Sequence, residues 1–258
     1  MKLFILTDLE GAAGVDRFVQ TRTSENVGAK AAAMKQLARE VNACVAGIHD
    51  IHSGAEIDVW DGHGPGGLFA EDIVNARYLG RDSNSPYRRI QGYDAMLFVG
   101  QHAMAGTYAA PLCHTYSSLH MEYYKLNGVF IGEFAARALL AGFQGVPTIY
   151  LSGDDKAVSE AKLFVPEIET TVTKLGTGLE SAVHLDPDDA CSLIRRDAAK
   201  AVQRIGEIPP FTGMKPPYTF EIRKREPWDH KNVSGGAFVD PRTFRMEADS
   251  LEEIQSYL

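Results

Sequence analysis

The sequence predicts an α/β fold, with a largely parallel sheet flanked by helices and a C-terminal α+β extension. Three observations carry this reading. Short apolar runs alternate with stretches of helical period along the first 165 residues, which is the pattern of βαβ units. At 258 residues the chain is long enough to bury a core without disulfide or metal staples. Its 45% hydrophobic and 23% charged residues are ordinary for a globular protein and argue against disorder or a coiled coil.

Residues 3–6 read as a short buried strand that stops at Thr7-Asp8. Met34, Leu37, Val41, Val45 and Ile48 recur at steps of three and four, so a helix is expected over about 29–48. Ser53-Gly54 breaks the chain before a second strand, 56–60, which ends in Asp61-Gly62-His63-Gly64. A third strand, 95–99, ends in Gly100-Gln101-His102. A brief strand at 129–131 precedes a helix over about 132–141. Pro147 then introduces a strand at 148–151, closed by Ser152-Gly153-Asp154-Asp155.

The remainder mixes strand and helix signals. Residues 172–175 read as a strand. Asp186-Pro187 opens a helix, with Asp as N-cap and Pro at the first helical position. Leu193, Ile194, Ala198, Ala201, Val202 and Ile205 form its apolar face. Residues 218–223 alternate like a strand, and Ser250-x-x-Glu253 is a capping box for a last helix. The expected organisation is a core over 1–165 and an extension over 166–258 within one continuous domain. The proline-rich stretch 209–217 is the best boundary candidate.

Charge and cysteine usage narrow the function. Lys plus Arg number 26 against 34 Asp plus Glu, a net charge of −8. Nucleic-acid binding draws its affinity from neutralised phosphates, and an acidic chain without a basic block is a poor candidate. The cluster Arg223-Lys224-Arg225 reads as a solvated edge. Cys44, Cys113 and Cys191 are far apart and form no C-x-x-C pair, so reduced thiols in a cytoplasmic protein are expected. The N-terminal apolar run is too short for a signal peptide. No run approaches the roughly 20 residues of a membrane helix.

The chemistry gathers at strand ends. Asp8 and Glu10 follow the first strand, Asp61 and His63 the second, and His102 the third. In an open parallel sheet the carboxyl ends share one rim, where ligands bind. Glu133 at a helix start and Asp154 after a fourth strand can reach the same rim. Mixed carboxylates and imidazoles suit a divalent cation, zinc first, with manganese or cobalt as alternatives. One aspartate can bridge two metals that share an activated water.

Taken singly, Asp8, His63 or His102 reads as a turn residue or cap, and Glu133 as an acid favoured by the helix dipole. Agreement among three strand ends shifts the balance. His49 and His52 fit a helix C-terminus, and His184 and His230 have no companions in sequence. N-capping accounts for one acid of Asp154-Asp155. Gly64-Pro65-Gly66-Gly67 lacks P-loop spacing, and no G-x-S-x-G elbow is present.

Six motifs in order carry a resemblance. They are Asp8-x-Glu10-Gly11-x-x-Gly14, Asp61-Gly62-His63, Gly100-Gln101-His102, Cys113-His114-Thr115, Asn127-Gly128 through Gly132-Glu133, and Val146-Pro147 through Gly153-Asp154-Asp155. Together they resemble the zinc-dependent D-aminopeptidase family, peptidase family M55, clearly over about residues 2–157 and weakly beyond.

The resemblance implies two zinc ions per subunit. Asp8 would bridge them, Glu10 and His63 would complete one site, and His102 and Glu133 the other. It implies His114 as nucleophile or proton shuttle. It also implies a ring-shaped homo-oligomer, a decamer, acting on short peptides with an N-terminal D-residue. Asp154 is a further candidate for binding the substrate amine. Two departures from the pattern stand out. Cys113 replaces a common Ser and places a thiol near the metals, and Gly62 replaces Ser in the loop carrying His63.

The expected reaction is metal-assisted hydrolysis of the peptide bond next to a free N-terminus. A metal-dependent amidase or phosphoesterase on the same site is one rival, since a fold does not fix its substrate. A non-catalytic metal- or peptide-binding protein is the other.

Overall fold

A computed structural model describes residues 1–23, 25–81, 85–229 and 234–258. In chain order the strands are β1 (Lys2–Thr7), β2 (Glu56–Asp61), β3 (Arg77–Tyr78), β4 (Ala95–Gln101), β5 (Met121–Leu126) and β6 (Val129–Ile131). They continue with β7 (Thr148–Asp154), β8 (Glu169–Gly178), β9 (Ser181–His184), β10 (Tyr218–Lys224), β11 (Ala237–Asp240) and β12 (Thr243–Ala248). The helices are α1 (Val27–Ile51), α2 (Glu133–Phe143), α3 (Asp155–Phe164), α4 (Pro187–Gln203) and α5 (Leu251–Ile254).

Seven strands form the main sheet in the order β3-β2-β1-β4-β7-β8-β9. All its pairings are parallel except β8 with β9. β1 lies between β2 and β4, and Leu3 to Leu6 are fully buried. A strand covered on both faces must be apolar on both, which explains the unbroken Leu-Phe-Ile-Leu run. Register sets the rim: Thr7 pairs with Asp61 and with Val99. The residues just past these three positions therefore emerge at one level.

The expected parallel sheet and the helices around it are present. α1 is longer than its periodicity indicates, because Asn26 caps it by accepting from the Ala29 N–H, a cap that contributes about 1 kcal/mol. α4 starts where Asp186-Pro187 indicated, with the Asp186 side chain accepting from Asp188 N–H. The Ser250/Glu253 capping box opens α5.

A second, antiparallel sheet of order β11-β12-β10-β5-β6 was largely absent from the sequence reading, which had only β6 and β10. β10, which follows the 209–217 stretch, pairs with β5 as well as with β12. The buried apolar cluster accordingly runs from Leu3 to Leu258.

Two glycines shape the rim. Gly100 has φ +81°, and a Cβ there would collide with the Asp8 carbonyl. Gly11 donates its N–H to the Gly100 carbonyl at 2.7 Å, and a Cβ on it would strike the backbone of Gly100 and Gln101. These two positions let the Asp8–Glu10 turn lie directly against the end of β4.

Candidate metal centre

Two groups of ligand atoms meet at this rim. Asp8, Glu10 and His63 form one, and His102, His114 and Glu133 the other, with the atoms of each group within 4.8 Å of one another. All six residues are remote in sequence or separated by turns, and the sheet register brings them together. Asp8 joins the groups: its Oδ1 is 3.1 Å from His63 Nδ1, and its Oδ2 is 3.3 Å from His102 Nε2. His63 Nδ1 is also 3.0 Å from Glu10 Oε2, and His102 Nε2 is 3.5 Å from Glu133 Oε1.

Backbone carbonyls set the histidine tautomers. A carbonyl only accepts, so the ring nitrogen facing it must carry the proton. His63 Nε2 donates to Thr21 O at 3.0 Å, which leaves Nδ1 for the cluster. His102 Nδ1 donates to Ala103 O at 2.8 Å, which leaves Nε2. His114 Nδ1 donates to Leu112 O at 2.8 Å, which leaves Nε2 on the side of Glu133 Oε1, 3.8 Å away. Such outer hydrogen bonds orient metal-binding imidazoles.

Neutral His63 and His102 thus aim lone pairs at carboxylate lone pairs. Glu10 Oε2 and His102 Nε2 are buried without a hydrogen-bond partner. Only a proton or a cation between such atoms removes the repulsion. Burial alone would lower both imidazoles, yet the Glu10 and Asp8 carboxylates raise His63 well above its ordinary value. Asp8 and Glu133 do the same for His102. Burial would raise Asp8, but His102 and His63, once protonated, donate to it and hold it well below the usual carboxylate range. The donor set of carboxylate oxygens and imidazole nitrogens fits two divalent cations.

Glu133 is held on both sides. Its Oε1 accepts from Tyr116 N–H at 2.8 Å, and its Oε2 is 2.9 Å from Arg137 Nη2. Burial opposes ionisation, but the Arg137 charge, with His102, brings Glu133 down to about 2. The Arg137 guanidinium is buried near the rings of Tyr87, Tyr116 and Trp60. Sequence reading missed Arg137, although its position four residues after Glu133 is the helical pairing distance.

His114 lies against His102, ring centroids 3.9 Å apart and planes at 16°. Burial and then the His102 charge lower its pKa, favouring the neutral base. The cavity over the centre measures about 580 Å³ and is lined by Asp8, Glu10, His63, His114 and Glu133, among others. That is the size of a small-molecule site.

Other sequence candidates are placed differently. Asp154 is fully buried, caps α3 through Oδ1, and is not among the cavity-lining residues. Asp155 accepts from Gly176 N–H at 2.8 Å and pairs with Lys156. Asp61 stays outside both clusters and pins the His63 loop, accepting from the N–H groups of His63, Gly67 and Leu68. Gly62 is tightly packed, since a Cβ would lie 2.8 Å from Thr7 O.

Cys113 donates to Thr107 O at 3.6 Å and belongs to neither cluster. Burial raises its thiol pKa, which disfavours thiolate. His49 stands in the last turn of α1, and His52 is its C-cap residue. His184 does have companions, accepting from Gly14 N–H at 3.0 Å and lying 3.3 Å from Asp16. His230 lies outside the described residues. No described helix is long and apolar enough to cross a membrane.

Comparison with known proteins identifies the family. A curated relative, a D-aminopeptidase of Bacillus subtilis (strain 168), is 25% identical over 267 residues, covering 100% of this chain and 94% of the relative. The solved structure described as the Zn-dependent D-aminopeptidase DppA from Bacillus subtilis, a self-compartmentalizing protease, superposes with a TM-score of 0.89. It is 23% identical and the match covers 99% of this chain and 94% of that one, which shows the shared fold. The peptidase M55 profile, described as D-aminopeptidase, matches residues 1–258. With its two candidate metal clusters and a family match along its whole length, the chain belongs to the M55 D-aminopeptidase family.

Proposed function

We propose that this chain is a two-metal aminopeptidase that removes N-terminal D-residues from short peptides. The observation that carries the reading is Asp8, whose two carboxylate oxygens each face a different cluster. Asp8 would bridge two zinc ions, Glu10 and His63 would complete one site, and His102 and Glu133 the other. Bound there, the metals would polarise the scissile carbonyl and acidify a water.

The chain's own residues handle the remaining tasks. His114 has Nδ1–H committed to Leu112 O, so Nε2 is the atom free to exchange protons. It takes the proton released by the attacking water and returns it to the leaving nitrogen. A proton shuttle is preferred to a covalent nucleophile, because metal-activated water needs no covalent step. Arg137 and the Tyr116 N–H keep Glu133 ionised and fixed.

D-selectivity is supported by the family description and by the name of the Bacillus subtilis relative. Assembly into a ring of like subunits, a decamer, rests on the family resemblance and on the relative's description as self-compartmentalizing. Asp154 is not carried forward as an amine-binding residue, because it is fully buried and is not among the residues lining the cavity. A cytoplasmic location belongs to the same proposal and is supported by the free thiols of Cys44, Cys113 and Cys191.

The test is hydrolysis of D-Ala-D-Ala and L-Ala-L-Ala by metal-stripped protein, with and without added zinc. Zinc-restored cleavage of the D-peptide alone is expected. Cleavage of the L-peptide alone would retain the metal mechanism and remove the stereochemical assignment. No turnover of either by the metal-loaded protein would overturn the aminopeptidase reading.

A further inference from the structure

An enzyme that trims short peptides meets a substrate charged at both ends, and the metal clusters account for only one of them. The cavity is rich in negative charge: Asp8, Glu10, Glu25 and Glu133 all line it. Once Asp8, Glu10 and Glu133 hold metals, a C-terminal carboxylate needs a cation away from them if the far end of the peptide is to be recognised. Two arginines line the cavity, Arg22 and Arg137. Arg137 is 4% exposed and is already paired with Glu133 at 2.9 Å. Arg22 is different, with a side chain 26% exposed.

Three contacts prepare Arg22 for an anion. Its guanidinium lies over the Phe18 ring, 4.1 Å from the centroid. Nη1 donates to Glu25 Oε1 at 3.0 Å, and Nη2 donates to Ser118 Oγ at 3.2 Å. Its two terminal nitrogens thus each face an acceptor that is easily displaced. Glu25 is 40% exposed, so water can solvate its carboxylate when it is displaced, and Ser118 is neutral. A guanidinium held over an aromatic ring has less rotamer freedom left to lose when it binds a carboxylate in fork geometry.

Position along the chain supports the same role. Arg22 directly follows Thr21, whose carbonyl accepts from the cluster residue His63. Ser118 lies on the segment that carries His114. Arg22 therefore connects the cavity wall beside the Glu10–His63 cluster with the wall beside His114.

We infer that Arg22 recognises the C-terminal carboxylate of a dipeptide or similarly short peptide, and that Glu25 occupies this cation when no substrate is bound. The inference rests on the aminopeptidase reading above. It makes the enzyme selective for short free-acid peptides, because Arg22 lines the same cavity of about 580 Å³ as residues of both metal clusters.

The experiment compares D-Ala-D-Ala with its uncharged C-terminal amide, using the zinc-loaded full chain. Wild type is expected to prefer the acid. Arg22→Met is expected to reduce the acid-over-amide ratio of kcat/KM on the order of 10- to 100-fold, chiefly through KM. Arg22→Lys keeps the charge without the fork and is expected to retain part of the preference. Glu25→Gln removes the internal competitor and is expected to lower KM for the acid.

An equal loss on acid and amide in Arg22→Met would overturn the inference. So would a wild type indifferent to the terminal charge, or a Glu25→Gln variant with raised KM on both peptides. A wild type that turns over neither peptide overturns the aminopeptidase reading, and this inference with it.

Discussion

Asp8 and His102 approach at 3.3 Å through Oδ2 and Nε2, while the other oxygen of Asp8 stands 3.1 Å from His63. One carboxylate therefore belongs to both halves of the centre. Its removal should be felt by both metals, whereas each histidine should matter to one. Asp8→Ala is expected to lose both metals. His63→Ala and His102→Ala are each expected to lose one and to lower kcat/KM by at least about 100-fold. Elemental analysis of purified variants checks this, and retention of both metals by Asp8→Ala would end the bridging assignment.

His114 lies within ligand distance of His102 and Glu133, so its role needs separating from theirs. As a proton shuttle it should contribute to turnover and not to metal retention. His114→Ala is expected to keep its metal content and lose about 10²- to 10⁴-fold in kcat. Combined metal analysis and kinetics decide it, and loss of a metal from the variant would make His114 a ligand.

Metal should also stabilise the fold, because cations replace the lone-pair repulsion left at Glu10 Oε2 and His102 Nε2. At a free metal concentration a thousandfold above Kd, linkage contributes about 4 kcal/mol, or roughly 10 °C in melting temperature for a chain of this size. Calorimetry with and without chelator measures this. An unchanged melting temperature after verified metal removal would argue against occupancy at these buried atoms.

The strand ends that carry Asp8, His63 and His102 were legible because a doubly covered parallel strand reads as an apolar run with an abrupt polar stop. β12 was not legible: Phe244, Met246 and Ala248 face inward while Arg245 and Glu247 face out, a short alternation easily lost among charged residues. Arg137 was hidden because a lone arginine on an apolar helix resembles a surface residue. Lys174 and Glu40 were hidden for a similar reason. Their types belong on surfaces, yet both are buried behind the Glu10 turn, and only tertiary contacts reveal what they hold.

Glu40 gives a pH prediction independent of the metals. Its Oε1 accepts from Ala13 N–H at 2.8 Å and from Gln36, and burial raises its carboxyl from 4.5 to about 7. The folded state then binds a proton more tightly than the unfolded state does. This contribution is fully present below pH 4.5 and is lost as pH rises through about 7. Glu40→Gln cannot ionise, so its stability relative to wild type should improve across that window by up to roughly 3 kcal/mol. Denaturation midpoints of both proteins at either end of the window test it. A pH-independent difference would show that Glu40 does not titrate there.

Lys174 is the strongest tie on the Glu10 turn. Its fully buried ammonium donates to the carbonyls of Glu10, Ala12 and Val15. Burial lowers the lysine to about 8, with Asp154 and Glu40 opposing the shift. Thr173 Oγ1 and Glu40 hold the neighbouring Gly11 O and Ala13 N, so the backbone around Glu10 is fixed from several sides. Lys174→Met leaves three buried carbonyls without their shared donor, and a loss of about 3 kcal/mol or more is expected. The metal of the Glu10–His63 half should weaken more than its neighbour, because that half takes both Glu10 and Asp8 from this turn and the other half takes only Asp8. Titration of metal into Lys174→Met, read as two separate affinities, decides the matter. Equal weakening of both sites would mean that Lys174 supports the fold at large rather than the position of Glu10.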